Sequence, residues 1–159
     1  IAQVHADVYA GGFLMIGGCT HVVAVDSAKF GLPEVKRGIF PFQVMATLEP
    51  LMSARDLLDL CIRAKVIDAQ EAKRIGIVSE VVTADELENT VNRLADEIKE
   101  QSPTAIRLGL KAFQEMKSKN AAEKHQFLHA MLMQCLQSKD TAEGLTAFKE
   151  KRKAVWIGE

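Results

Sequence analysis

The feature that most constrains this chain is a series of helix-start signals beyond Pro41. In each signal, a short polar side chain stands before an apolar helical pattern, where its oxygen can accept a hydrogen bond from a backbone N–H of the first turn. The six signals are Ser53 with Asp56, Asp68 with Glu71, Thr83 with Glu86, Ser102 before Pro103, Asn120 with Glu123, and Asp140 ahead of Glu143. They predict that helices dominate the chain from Pro41 onward.

The first forty residues follow a different pattern. Residues 1–8 alternate between apolar and polar, which predicts a strand, and residues 13–19 continue with helical spacing after the turn Ala10-Gly11-Gly12. A β-rich run at 21–25 leads to an irregular loop at 29–34, and 77–82 reads as one more short strand. The fold class is therefore α/β at the start and α-helical afterwards. Because the pattern opens within a strand, we expect a longer polypeptide and an unpaired edge on the first strand.

Composition narrows the possible partners. The chain has 159 residues, of which 48% are hydrophobic and 26% charged, enough for a domain with its own core. Its 20 basic and 21 acidic residues indicate neither nucleic acid nor an anionic membrane as a partner. Cys19, Cys61 and Cys135 form no C-x-x-C pair and are predicted to be buried thiols in a reducing, cytoplasmic setting.

The glycine turn at Gly11-Gly12 has two interpretations. Glycines between a strand and a helix let backbone N–H groups approach a ligand oxygen that carries partial negative charge, and the helix dipole favours the same guest. Such turns more often serve only packing. Asp7, just before the turn, could likewise be a turn former or a second polar group facing substrate, and the structural interpretation is favoured.

The neighbouring sequence decides between these interpretations. The order Val4-x-Ala6-x-x-x-Ala10-Gly11-Gly12, followed by a helix and then by residues 28–41 (AKFGLPEVKRGIFP), resembles the signature region of the crotonase superfamily, the enoyl-CoA hydratases and isomerases. The segments 67–78, 102–103 and 143–153 are similar to later parts of the same family. The resemblance covers the whole chain.

The resemblance implies a spiral of ββα turns, of which only the later turns would lie here, followed by an α-helical trimerisation region. We expect residues 1–83 to form the spiral portion and 84–159 the helical region that contributes to oligomerisation and CoA contacts. The implied substrate is an acyl-CoA thioester, with CoA as part of the substrate, no further cofactor and no metal. The implied assembly is a homotrimer or a dimer of trimers.

The family also implies roles for particular residues. It holds the thioester oxygen between two backbone N–H groups, and the second of these matches Gly11, with Gly12 beside it in the substrate site. The first would lie upstream of Ile1. One family glutamate matches Glu34 as acid/base, but the other falls at Leu14, a substrate-lining position without acid/base chemistry.

The loss of that second carboxylate sets the order of the functional hypotheses. Single-base, isomerase-like chemistry at Glu34 is slightly favoured, because some isomerases of the superfamily resemble this chain in having Leu at the position of Leu14. A hydratase is the alternative within the family. A non-catalytic CoA-binding or scaffold member is the alternative outside enzyme function.

Residues near the C-terminus complete the expectations. Phe148 and Lys151 match family positions that contact the adenine end of CoA, commonly across a subunit boundary, although Phe148 could instead be core and Lys151 a solvated surface residue. Trp156 is expected to anchor the tail. Residues 121–136 are apolar around much of the predicted helix, which favours an oligomer contact.

Overall fold

The computed structural model describes all residues from Ile1 to Glu159. Its strands are β1 (Ala2–Val4), β2 (Val8–Tyr9), β3 (Val22–Val25), β4 (Lys29–Gly31), β5 (Val66–Asp68) and β6 (Glu80–Val82). Its helices are α1 (Gly12–Ile16), α2 (Phe42–Leu48), α3 (Ala54–Arg63), α4 (Ala69–Arg74), α5 (Leu87–Lys99), α6 (Pro103–Glu115), α7 (Ala121–Leu136) and α8 (Lys139–Glu150). Short 3-10 turns lie at Pro33–Arg37, Glu49–Leu51 and Met116–Ser118.

The chain forms two compact units, Ile1–Ala95 and Asp96–Glu159. This boundary falls within α5, and the expected functional division after residue 83 stays a prediction. None of the helices has the length and apolar character needed to cross a membrane.

The first unit is built on two small sheets. One has the order β1-β3-β6 and is parallel throughout, while the other has the order β2-β4-β5, with β2 parallel and β5 antiparallel to β4. β1 and β2 therefore each lie at the edge of a sheet. The sheets and the helices around them enclose an apolar core whose largest fully buried side chains include Phe13, Phe30, Leu32 and Leu48.

Two predicted features at the start differ from the structure. The single strand predicted over 1–8 is divided into β1 and β2, because the Asp7 side chain turns toward β4 and its Oδ1 accepts a 2.8 Å hydrogen bond from the Lys29 N–H. The loop predicted over 29–34 begins instead as strand β4, in which Phe30 is fully buried. Asp7 is thus a turn former that links neighbouring strands.

Gly17 fixes how closely α1 and α2 approach each other. A Cβ atom at this position would lie 2.5 Å from Thr47 Cγ2 and 2.9 Å from the Phe13 carbonyl oxygen, and neither distance is tolerable. Only glycine allows this contact, so Gly17 helps to hold α1 and the turn before it in place.

Four of the six predicted helix starts are confirmed as caps. The side chains of Ser53, Asp68, Ser102 and Asn120 each accept a hydrogen bond from a first-turn N–H. At Thr83, the hydroxyl bonds to the Glu86 carboxylate at 2.9 Å and α5 begins just after, at Leu87. The prediction at Asp140 is wrong: Ser138 caps α8, and Asp140 lies inside the helix with its carboxylate bonded elsewhere.

The second unit contains α6, α7, α8 and the C-terminal tail. α7 carries the apolar residues noted in the sequence, yet none of its residues is buried. Leu128, Leu132, Met133 and Leu136 are each more than a third exposed on this helix. The tail is held at Trp156, whose Nε1–H donates a 2.7 Å hydrogen bond to the Glu100 carbonyl, as expected.

Candidate active site

Two neighbouring parallel strands bring the glycine turn and the Glu34 loop to one edge of a sheet. β2 pairs with β4 in the register Val8 to Phe30 and Tyr9 to Gly31. The turn at 10–12 follows the carboxyl end of β2, and the segment that carries Glu34 follows the carboxyl end of β4. The carboxyl ends of adjacent parallel strands are a common place for ligand sites in α/β proteins.

The unusual backbone conformation of the turn is not carried by its glycines. The residue with positive φ is Ala10, at 50°, while Gly11 has a φ of −57° that any residue can adopt. A Cβ atom on Gly11 would meet nothing within 4 Å. Within this chain, Gly11 is therefore required neither by its backbone conformation nor by packing, and its small size leaves open space above the turn.

The turn presents two backbone donors without protein acceptors. The Ala10 N–H is used in a 3.1 Å bond to the Gly31 carbonyl, and the Phe13 and Leu14 N–H groups bond back to Ala10 and Gly11. The N–H groups of Gly11 and Gly12 donate to no acceptor in the chain. A positive φ followed by a helical residue aims successive N–H groups into one concavity, an arrangement suited to an oxygen with negative charge.

Glu34 lies in the first turn of the 3-10 segment Pro33–Arg37. Its Oε2 is buried and has no hydrogen-bond partner. Leaving a buried polar atom unpaired costs about 1–3 kcal/mol, and a charged group costs more, so such atoms call for an explanation. Close by, the thiol of fully buried Cys61 has its pKa raised by burial and, second, by the Glu34 carboxylate.

Leu14 and Met15 lie on α1 just beyond the turn, with side chains 46% and 80% exposed. Neither can accept a proton. A shallow cavity of about 290 Å³ lies on this part of the first unit, lined by residues 3–9 together with Gly12, Met15 and Ile16. Its lining includes neither Gly11, Leu14 nor Glu34, so it is not a cavity shared by those candidate residues.

The histidines of the first unit lie outside the glycine turn and the segment that carries Glu34. His5 lies in the segment between β1 and β2, and His21 Nδ1 is 3.1 Å from the Thr20 hydroxyl oxygen. No group of three His, Cys, Asp or Glu side chains is placed to hold a metal ion.

The remaining predicted residues lie in the second unit. Phe148 on α8 is 83% exposed, and Lys151 ends that helix with a φ of 54°. An aromatic side chain so exposed is not the core residue that one interpretation allowed. Sequence reasoning missed the main role of Asp140, which is 1% exposed and accepts four hydrogen bonds. The sequence around Asp140 does not indicate that its carboxylate is buried or that it bonds to distant segments.

Comparison with known proteins agrees with the sequence motif. The family model described as enoyl-CoA hydratase/isomerase matches residues 1–159. The chain belongs to this family. A crotonyl-CoA hydratase from Syntrophomonas wolfei is 35% identical over 160 residues, which cover 100% of this chain and 62% of that protein. A mitochondrial enoyl-CoA hydratase domain-containing protein 3 from Xenopus laevis is 30% identical over 156 residues, covering 98% of this chain and 53% of that protein.

The fold of this hydratase/isomerase family member is equally clear. An enoyl-CoA hydratase structure from Bacillus anthracis superposes with a TM-score of 0.90 at 30% identity, covering 96% of this chain and 60% of that structure. The predicted crotonase-like α/β fold is confirmed. The chain spans between about half and two thirds of the length of the relatives it matches.

Proposed function

We propose that the protein carrying this chain acts on an acyl-CoA thioester, stabilises a thioester enolate at the glycine turn, and moves a double bond with Glu34 as its single base. The observation that carries this proposal is the buried, unpartnered Oε2 of Glu34. A carboxylate oxygen that is held out of water and bonded to nothing is suited to take a proton from a substrate.

The glycine turn supplies the electrostatic part of the mechanism. Removing a proton next to a thioester carbonyl drives negative charge onto the carbonyl oxygen. The free N–H of Gly11, with that of Gly12 beside it, would meet this charge, and the absence of a side chain at Gly11 would let the oxygen come close. One preorganised donor of this kind contributes about 3–4 kcal/mol of transition-state stabilisation.

Glu34 would then complete the isomerisation alone. Its carboxylate accepts a proton from the carbon between the thioester and the double bond, and the electrons delocalise onto the thioester oxygen. The resulting Glu34 carboxylic acid returns the proton to the far end of the system, so that the double bond moves by one position and Glu34 is restored. Hydration would also need a group to orient and activate water, and Leu14 cannot do so.

CoA recognition is proposed for the second unit. The exposed ring of Phe148 and the ammonium group of Lys151 would contact the adenine end of CoA. Lysine is suited to the phosphates of the nucleotide and an aromatic ring to its base. We further propose that α7 packs against other copies of the protein in a homotrimer or dimer of trimers, and that the protein, with its three free cysteines, works in the reducing cytoplasm.

Replacing Glu34 by Gln in the protein that carries this chain tests the mechanism. The change keeps the size of the side chain but removes the base, so turnover of a β,γ-unsaturated acyl-CoA should fall by about 10²- to 10⁴-fold while CoA binding survives. Glu49→Gln, at an exposed position in the same unit, is the matched control and should leave turnover unchanged. Equal turnover in the Glu34→Gln and unaltered proteins would refute the single-base mechanism.

A second substitution separates the alternatives. Leu14→Glu would add a carboxylate beside the turn and should raise hydration relative to isomerisation. Products can be followed by mass spectrometry and by NMR in D₂O, which reports both double-bond position and any hydroxyacyl product. Hydration by the unaltered protein would favour the hydratase alternative. Tight CoA binding with neither isomerisation nor hydration would favour the non-catalytic scaffold.

A further inference from the structure

The C-terminal tail of the second unit is fastened to α6 and α8 through one buried carboxylate. Oδ2 of Asp140 accepts hydrogen bonds from the Ser102 hydroxyl at 2.9 Å and the Thr104 N–H at 3.3 Å, both at the start of α6. Oδ1 accepts from the Ile157 and Gly158 N–H groups at 3.0 and 3.1 Å. The two oxygens of Asp140 therefore join two segments that are more than fifty residues apart in sequence.

A second carboxylate on α8 holds the chain where it leaves the helix. Glu143 accepts hydrogen bonds from Nη1 and Nη2 of Arg152, at 2.6 and 3.0 Å, and a 2.8 Å bond from the Val155 N–H. This bidentate geometry fixes direction as well as distance. The Arg152 hydrogen bonds and, next, the Val155 N–H lower the pKa of Glu143 to about 2, so the carboxylate is charged at neutral pH.

Trp156 adds further contacts that hold the C-terminal tail. Its ring lies so close to Gly144 that a Cβ there would be 3.2 Å from Cη2, and its Nε1–H bonds to Glu100. Arg107 adds a 2.9 Å bond to the Gly158 carbonyl. We call residues 152–158 the strap.

Phe148 and Lys151 lie between the two carboxylates and the strap along the chain. The helix ends here with the Lys151 and Arg152 N–H groups bonded to the Phe148 and Ala147 carbonyls, and Lys151 is held at a φ of 54°. A non-glycine residue at positive φ costs on the order of 1 kcal/mol or more and persists only where its surroundings fix it. The strap begins at the next residue, where the Arg152 N–H bonds to the Ala147 carbonyl and its guanidinium bonds to Glu143. The side chains of Phe148 and Lys151 are both exposed.

We propose that Asp140 and Glu143 are positioning residues for nucleotide recognition: through the strap, they set the direction in which Phe148 and Lys151 meet the adenine end of CoA. This inference rests on the proposed CoA contact of those two residues. It adds that affinity for the nucleotide half of CoA depends on two carboxylates that never touch it. Affinity for the pantetheine half should not depend on these carboxylates.

Asp140→Asn tests this inference in the protein that carries this chain. An amide side chain has a single acceptor oxygen and cannot accept from both α6 and the tail. CoA affinity, measured by calorimetry, should fall about tenfold, the loss of one well-placed contact, while pantetheine affinity changes less than about twofold. With a CoA thioester as substrate, KM should rise in parallel and kcat should stay the same. Glu143→Gln should act in the same direction.

Two further variants keep the outcome interpretable. Glu115→Gln is the control, because this exposed carboxylate of the same unit contacts only Lys111, at 3.9 Å, and it should leave both affinities unchanged. Trp156→Phe keeps the ring on Gly144 but removes its hydrogen bond to Glu100, so it should weaken CoA binding in the same direction by a smaller factor even if Asp140→Asn fails to fold.

The contrary outcomes are distinct. An equal loss of CoA and pantetheine affinity in Asp140→Asn and Trp156→Phe, or no loss in either, would overturn the positioning role alone. Equal affinity of the unaltered protein for CoA and pantetheine would overturn the proposed nucleotide contact and this inference with it.

Discussion

The interiors of the two units are stabilised in different ways. In the first, the most deeply buried side chains are apolar, with Phe13, Phe30, Leu32, Leu48 and Val23 almost fully removed from solvent. In the second, the most buried residue is a carboxylate, Asp140, and the only other residues that fall in the buried class are Thr104, Ala112 and Ala147. The first unit thus depends on the hydrophobic effect, while the second depends on hydrogen bonds that converge on one charged group.

This difference determines which unfavourable features each unit can accommodate. An apolar core tolerates a strained turn such as Ala10 and an unpaired carboxylate oxygen on Glu34, because many buried side chains offset their cost. The second unit, which is stabilised by hydrogen bonds, buries few apolar side chains in its interior. The apolar side chains of α7 accordingly remain on the outside of this unit.

The largest expected effect is the removal of a core aromatic ring. Phe30→Ala should lower the free energy of unfolding by about 3–5 kcal/mol, because the fully buried ring leaves a cavity between β4 and its neighbours. Phe148→Ala, at a ring that is 83% exposed, should change it by less than about 0.5 kcal/mol. Urea unfolding curves give both values. Similar losses in the two variants would contradict the contrast between the units.

A smaller effect is expected from acid, and it should be larger in the second unit than in the first, whose lowered carboxylate pKa values depart less from their ordinary values. Burial works to raise the pKa of Asp140, but the bonds from Ile157, Ser102, Gly158 and Thr104 outweigh it and hold that pKa well below its ordinary value; the pKa of Glu143 is lowered to about 2. Both carboxylates therefore contribute stability that is present above their ordinary pKa values of 3.8 and 4.5 and is lost as the pH falls toward the lowered values.

Hydrogen exchange provides the measurement for this acid effect. Between about pH 4.5 and 2, amide protection at Ile157 and Gly158 should decrease before protection in β3 and β4 does, after correction for the intrinsic exchange rates. The same experiment on Asp140→Asn should show weak tail protection already at neutral pH. Simultaneous loss of protection in both units would argue against a separate, carboxylate-dependent second unit.

The smallest effect on stability is expected on the surface of α7. Leu132→Lys changes a side chain that is 54% exposed, so the stability of the single subunit should move by no more than about 0.5 kcal/mol. If α7 packs against another copy, a charge at this position should still reduce the assembled mass measured by light scattering. Lys124, on the same helix, gives a control through Lys124→Gln. A monomer in the unaltered protein at micromolar concentration would refute the proposed assembly.

Much of the fold could be predicted from the sequence because its signals are local. A cap needs only a polar side chain and the N–H groups of the next turn, which explains the success at Ser53, Asp68, Ser102 and Asn120. Asp140 carries the same local signal but bonds to segments far away in sequence. The strand β4 escaped prediction for the same reason, since it forms by pairing with β2 and β5 on either side.

The same distinction between local and long-range signals applies to the candidate site. The motif identified Gly11 and Glu34 as partners, but only the parallel pairing of β2 with β4 explains why their segments leave the sheet at one edge. The positive φ at Ala10 was not predictable, because the two glycines beside it were the natural candidates for that conformation. The isolation of Glu34 Oε2 depends on burial, which a single loop sequence does not encode.

The open space above Gly11 has a consequence for how this position tolerates change. Because no φ angle and no neighbouring atom of this chain demands glycine there, an alanine or serine at position 11 is compatible with the folded backbone. Any intolerance at that position would therefore come from something outside this chain, such as the substrate proposed above. In a mutational scan that reads abundance and activity separately, position 17 should be restricted in both readouts and position 11 in activity alone.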